Sequence, residues 1–378
     1  MKLRCIRRWE FLSLSKKNSN YVYYVRHGSV TKKANNEDER RLFELTAKIP
    51  FDDRINHNAE IEDIDKELIK DFLRTVKSSL YDEVDKMDLL DLCERMNIIR
   101  GPKEYKKPVN VGLLFFNKTP DNFFKGAKIE VVIYHDDVGD SLSEKIFTGP
   151  VYKQLTNALD YIKSNILIEE VRKIPGQAEA ERFFNYPYEA IEEALTNAVY
   201  HRSYELQNTI EVNIRLDRIE ILSYPGPLPP INNKMLKKEH IIARDYRNRR
   251  IGDFLKELKF TEGRGTGIPK IRRAMKQNNS PDPIFETDDN RYYFLVILPI
   301  HPQVTPQVTP QVKKILKFCL IPKKRDTIQK EVGLSDREYF RKNILKPLIE
   351  EGLLRRTAKP NSPNLKYVTT EKGKQALG

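Results

Sequence analysis

Three side chains able to do chemistry recur every fourth residue in one short stretch: Glu193, Asn197 and His201. In a helix that spacing stands a carboxylate, an amide and an imidazole one above another. Ile191, Ala194, Leu195, Ala198 and Val199 then form an apolar stripe on a neighbouring face. Pro187 suits the start of such a helix, where its missing N–H costs nothing. An amide oxygen is a neutral ligand for Mg²⁺, an ion that keeps most of its waters and takes further ligands from phosphates. A carboxylate one turn away can polarise an attacking water. The same row would also serve as the solvent-facing edge of an amphipathic helix, and the residues C-terminal to it decide between the two.

Two glycine-bearing stretches lie there. Residues 218–230 read as a strand breaking into the Pro-Gly turn Tyr224-Pro225-Gly226. Residues 262–270 read as a loop feeding a helix, with Gly263, Gly265 and Gly267 allowing close approach of backbone to a ligand. A helix beginning at Gly267 points its free N–H groups at an anion. Three such elements in order resemble the GHKL (Bergerat-fold) ATPases, and more closely the ATP-binding domain of RecG-related, Schlafen/AlbA-type proteins. The resemblance rests on Glu193-Ala-Leu-Thr-Asn197-Ala-Val-Tyr-His201-Arg-Ser-Tyr204, Tyr224-Pro-Gly-Pro-Leu-Pro229 and Arg264-Gly-Thr-Gly-Ile268.

This resemblance implies an α/β sandwich of GHKL type that binds ATP and Mg²⁺. Asn197 would hold the metal and Glu193 would activate water. The turn at Tyr224 and Gly226 would touch adenine, and Gly263, Arg264, Gly265, Thr266 and Gly267 would cradle the phosphates, with His201 in the same site. Two positions depart from the family pattern. The acid that reads adenine in the wider superfamily falls near Ser223 or Tyr224, and the usual His-Arg-Asp-Tyr reads His201-Arg202-Ser203-Tyr204.

The elements that must position these residues give an α+β multidomain chain. A Tyr-Val-Arg-x-Gly-Ser-like stretch at 24–29 resembles the end of an AlbA-like domain, so residues 1–45 are expected to be its remnant, with a helix over 36–45. Residues 46–167 form an α/β middle region: helices over 64–80, 85–97 and 151–165, and strands over 109–116 and 128–134. Asp136, Asp137 and Asp140 read as a solvated hairpin loop, without the glycine-centred spacing of a calcium loop. The nucleotide-binding domain spans 168–300, with strands over 209–216 and 218–222 and a hairpin over 283–299. Between its glycine stretches, residues 243–252 carry five charged side chains from Arg244 to Arg250, suited either to a mobile loop near phosphates or to an exposed helix start. Residues 301–312 repeat Val-Thr-Pro-Gln, and proline every fourth residue favours an extended linker.

Residues 313–378 read as a winged helix. Helices are expected over 312–320 and 326–332. A capping box at Ser335 to Glu338 would start a third, which buries Phe340, Ile344, Leu345 and Leu348. Arg337, Tyr339, Arg341 and Lys342 then lie near the start of that recognition helix, and residues 355–364 form a wing returning through Lys366. Residues 311–378 hold 17 Lys/Arg against 7 Asp/Glu, most of the net +13 of the whole chain. Charge so placed points to duplex DNA as partner, with a solubilising basic surface or a protein-docking winged helix as the alternatives.

Three cysteines, Cys5, Cys93 and Cys319, lack any C-x-x-C spacing, which argues against a disulfide framework or zinc site and for the cytoplasm. Apolar runs are strand-sized, so no membrane partner is expected. No G-x-x-x-x-G-K-[ST] loop occurs, which excludes a P-loop helicase motor. The leading reading is an ATP-binding, DNA-associated transcriptional regulator, pairing into a homodimer on nucleotide binding as the resemblance implies. Weak ATP hydrolysis in DNA metabolism or phage defence is the alternative, and a truncated, inactive family member the third.

Overall fold

The computed structural model of the chain describes residues 49–302 and 310–377, apart from 103–104, 135–140, 174–179, 239–240, 242–244, 263–264, 333–336, 338–339, 351, 360–361 and 363–364. Residues 13–17, 20–27 and 30–33 are described as well. They form an antiparallel meander, β1 (Ser13–Lys17), β2 (Asn20–His27) and β3 (Val30–Lys33). The helix expected over 36–45 and the acidic loop at Asp136, Asp137 and Asp140 lie outside the described residues.

Two compact units emerge. Most of residues 1–299 make the first, and the second comprises 300–378 with the short segments 134–143 and 215–217. In the first unit, helices α1 (Lys66–Thr75) and α2 (Leu89–Arg95) begin at Asp65 and Asp88, whose side chains accept the N–H groups of Leu68 and Asp91. A two-residue ladder, β4 (Ile99–Arg100) and β5 (Lys107–Pro108), leads into α3 (Asn110–Phe116). This helix corrects the strand expected over 109–116. Every residue of α3 is buried, and an apolar run with no polar face carries no period that separates a core helix from a core strand.

The chain then builds one mixed six-stranded sheet. Its strands are β6 (Ile129–Tyr134), β7 (Leu142–Phe147), β10 (Ile210–Ile214), β11 (Arg218–Ser223), β12 (Ile284–Glu286) and β13 (Phe294–Pro299), in the order β12-β13-β11-β10-β6-β7. β10 runs parallel to β6, with Val212 opposite Val131, and antiparallel to β11, with Val212 opposite Ile221. The sheet therefore crosses the boundary expected near residue 167, and strands from both sides of it share one core. Between β7 and β10 lie α4 (Val151–Asn165), the hairpin β8 (Glu169–Lys173) and β9 (Ala180–Phe184), and α5 (Tyr188–His201). Short α6 (Asn233–Leu236), α7 (Arg249–Glu257) and α8 (Gly267–Gln277) follow β11. Helix α5 packs on β11 and β13, while α4 and α8 pack on α5.

In the second unit, α9 (Pro310–Phe318) and α10 (Arg325–Glu331) precede a π-helical segment at Phe340–Leu345. Helix α11 (Lys346–Glu350) continues it into the hairpin β14 (Leu354–Arg356) and β15 (Tyr367–Thr369), and α12 (Glu371–Gln375) closes the chain. Ile315, Leu316, Ile328, Phe340, Leu345, Leu348 and Tyr367 form its core. The third helix therefore buries Phe340, Leu345 and Leu348 as expected, with Ile344 only partly buried against them, but over 340–345 it is wider than an α-helix. The linker is shorter than 301–312, because α9 already begins at Pro310; most of the repeat, and most of the capping box at 335–338, lie outside the described residues. Among the described residues no helix is long and apolar enough to cross a membrane.

Candidate functional site

Apolar packing fixes where the polar row of α5 points. Ala190, Ile191, Ala194, Leu195, Ala198 and Val199 are buried, which leaves Asn197 and His201 on the wall of a cleft. Glu193 stands behind them, only 9 % exposed. Helix α8 comes so close that a Cβ placed on Gly267 would lie 2.4 Å from Asn197 Nδ2 and 2.8 Å from Glu193 Oε1. Any larger residue here must push the Asn197 and Glu193 side-chain ends aside. Two residues earlier Gly265 has φ +68°, the left-handed region that glycine enters without penalty.

At this junction Asn197 Nδ2 donates to Glu193 Oε1 at 3.3 Å, which leaves the amide oxygen as an acceptor. Lys270, in the first turn of α8, places Nζ 3.7 Å from Glu193 Oε2 and 3.1 Å from Glu262 Oε1. Burial lifts the Glu193 carboxyl above its usual range, opposed by the Lys270 charge and the Asn197 hydrogen bond. Such a carboxylate is a better base once ionised. Thr266 occupies the N-cap position of α8, and its carbonyl accepts the Lys270 N–H at 2.9 Å. Gly263 and Arg264 lie outside the described residues.

The rest of the cleft is largely apolar, walled by Leu228, Ile231, Leu236, Ile268, Phe285 and Val296. The turn after β11 closes one side. Ser223, Pro225 and Gly226 line the cleft; Tyr224 does not, and its carbonyl instead accepts the Ser203 N–H at 2.9 Å, tying the turn to the end of α5. Gly226 is pressed against the loop that joins β12 to β13, for a Cβ there would meet Thr287 Oγ1 at 2.5 Å and Tyr293 O at 2.6 Å. Asp245 and Arg247 are the only charged side chains on the wall among the described residues.

His201 stacks with Tyr200 and Tyr246, ring centroids 4.8 and 5.6 Å away. Burial and the neighbouring Arg247 guanidinium bring the imidazole down to about 4, so it is neutral at physiological pH. Arg247 donates to the carbonyls of His201 and Gly226. The rest of the motif is architectural. Arg202 is buried and donates to the Gly126 and Asn208 carbonyls at 2.5 and 2.6 Å, and the Tyr204 hydroxyl donates to Val199 O at 3.0 Å. Sequence reasoning gives no individual role to Asp245, Tyr246, Arg247 or Lys270. The dense charge of residues 244–250 is the available signal for the first three, and Lys270 has none beyond following Gly267 by three positions.

The stretch 243–252 divides between its two expected forms. Asn248 is fully buried and donates to the Tyr200 and Arg202 carbonyls at 2.9 and 2.7 Å, while Arg249 and Arg250 open α7. This end of the stretch is anchored, and among its described residues only Asp245, Tyr246 and Arg247 reach the cleft.

In the second unit, Arg337 and Arg341 are exposed near the start of the third helical segment, and Lys366 is exposed one residue before the returning strand β15. Arg337 lies 3.6 Å from Asp326. Arg355 and Arg356 add two exposed cations on β14. Tyr339 and the Lys342 side chain lie outside the described residues.

Comparison with known proteins agrees with this division. Residues 207–298 match the family described as "Putative ATP-dependent DNA helicase recG C-terminal", an ATPase-like domain. The match covers the Pro-Gly turn and the glycine stretch and begins just after α5. Residues 310–370 match the "Filamentation induced by cAMP protein Fic-like, C-terminal domain". No curated protein matches the chain. Among solved structures, the DIP2311 protein from Corynebacterium diphtheriae is similar in fold at 13% identity and a TM-score of 0.51, over 97% of this chain and 77% of that one.

Proposed function

We propose that the first unit binds Mg-ATP in a GHKL-type site between α5 and α8, and that the second is a winged helix that binds duplex DNA, so that the chain acts as a nucleotide-responsive regulator. The observation that carries the nucleotide reading is the Gly267 junction, where the backbone at a helix start meets a buried carboxylate and an amide. Those residues fit Mg²⁺. Asn197 offers one neutral oxygen, and no group of three or more His, Cys, Asp or Glu among the described residues could cage a metal alone. An ion held there needs phosphate oxygens and waters, as Mg²⁺ does. When bound, it would offset phosphate charge. The apolar wall beyond suits a flat base, and the Gly265–Gly267 backbone with the α8 start suits phosphates.

A second reading, slow ATP hydrolysis, is favoured by the raised carboxyl of Glu193 beside Asn197. Support for DNA binding comes from the +10 net charge of residues 311–378 and from the exposed cations on its helix and hairpin. The test is calorimetric titration of the whole chain with ATP, with and without Mg²⁺, for wild type and Asn197→Ala. Mg²⁺-dependent binding that Asn197→Ala weakens supports the assignment; equal affinities, or none in either protein, end it.

A further inference from the structure

We propose that Lys270 is the residue that distinguishes a nucleoside triphosphate from a diphosphate, its ammonium moving from the two carboxylates it bridges onto the terminal phosphate. The inference rests on the nucleotide reading of this site and adds a residue to it.

Lys270 is, among the described residues, the cation within ion-pair distance of Glu193, at 3.7 Å, and its second partner is Glu262 at 3.1 Å. Their environments differ. The Glu193 side chain is 11 % exposed and that of Glu262 61 %. An exposed pair such as Lys270–Glu262 contributes little net stability, so Glu262 holds the lysine weakly. Glu193 gains more from it, because the ammonium offsets the burial that disfavours its charged form.

Position supplies the rest. Lys270 follows Gly267 by three residues and shares its helical turn, and Gly267 is where α8 touches Asn197 and Glu193. A phosphorus open to attack by water near Glu193 must therefore lie within reach of Lys270 as well. The cation that lines the cleft wall itself among the described residues, Arg247, already donates to the carbonyls of His201 and Gly226. A lysine is a flexible point charge with three donors, able to leave one anion for another without a fixed geometry. Its side chain is 30 % exposed. On binding, the triphosphate takes up the positive charge and Glu193 is released to contact water. No bond is made or broken in this step.

The experiment is calorimetric titration of the full chain with Mg-ATP and separately Mg-ADP, using wild type, Lys270→Met, which keeps the aliphatic stem, and Lys270→Arg, which keeps the charge. Loss of one charge-assisted contact predicts that Lys270→Met weakens ATP binding about tenfold or more and leaves ADP within about twofold. Lys270→Arg restores most of the ATP affinity. Equal weakening for both nucleotides, or no change for either, overturns the role of Lys270 while leaving the nucleotide site intact. Wild type that binds neither nucleotide overturns both.

Discussion

At the scale of single residues, the site depends on a close contact in which Gly267 leaves the Asn197 and Glu193 side-chain ends where they stand. Gly267→Ala would set a methyl carbon 2.4 Å from the Asn197 amide, so the ends of the Asn197 and Glu193 side chains must shift. Because both are flexible side-chain ends, the cost falls at or below about 1–3 kcal/mol, that of core overpacking. The expected outcome is a modest fall in thermal midpoint with ATP affinity lowered at least tenfold, roughly the effect of displacing one charge-assisted contact; unchanged ATP affinity in a folded variant contradicts it. If the site hydrolyses ATP, Glu193 must be ionised to accept a proton. Its raised carboxyl then makes the rate fall at a higher pH than an ordinary glutamate would as pH drops, and Glu193→Gln removes phosphate release but spares binding, which a phosphate-release assay reads. Glu193, Asn197 and Gly267 are recognisable in sequence because their meaning lies in spacing of four and in glycine itself. Asp245, Arg247 and Lys270 are not, since their roles arise only when distant segments are brought together.

Among the elements, long helices with a clear apolar stripe and strands bounded by turns can be read directly, and the helix expected over 151–165 is α4. Helix α3 cannot, because burial on all sides erases the polar face that would reveal its period. Helix α7 hides a different relation. Asp52, nearly two hundred residues upstream, accepts the Ile251 N–H at 2.9 Å at its start, the bond that a capping residue would ordinarily make. The Asp52 side chain is fully buried, and burial raises its carboxyl to about 6. The folded state therefore favours the protonated form, and the associated stabilisation, complete below the unfolded value near 4, is lost as pH rises through 6. From pH 5 to 8 this removes about 1–1.5 kcal/mol from wild type. Asp52→Asn, which cannot ionise, is predicted to lack that component. Parallel urea titrations of both proteins across this range measure the difference, and identical pH slopes would contradict it.

For the molecule as a whole, the uneven charge is legible from composition alone, whereas the single sheet running through both expected central regions is not. β6 pairs in parallel with β10, some eighty residues later, and only the long-range partner reveals that both belong to one core. The basic second unit gives a prediction at its own scale. If residues 311–378 bind duplex DNA through phosphates, Arg355→Ala with Arg356→Ala lowers affinity for all sequences alike and reduces the slope of log K against log salt by about 2. A salt series on duplexes of unrelated sequence measures it; an unchanged slope would show that the hairpin does not face DNA.

The proposed Mg-nucleotide site is tested most directly by a crystal structure of the chain grown with Mg²⁺ and a non-hydrolysable ATP analogue. The expected outcome is the ion bound to the Asn197 amide oxygen at about 2.0–2.1 Å, with phosphate oxygens completing its shell and lying against Gly265 and Gly267. An analogue bound elsewhere, or a phosphate chain that leaves Asn197 and Glu193 untouched, would contradict it.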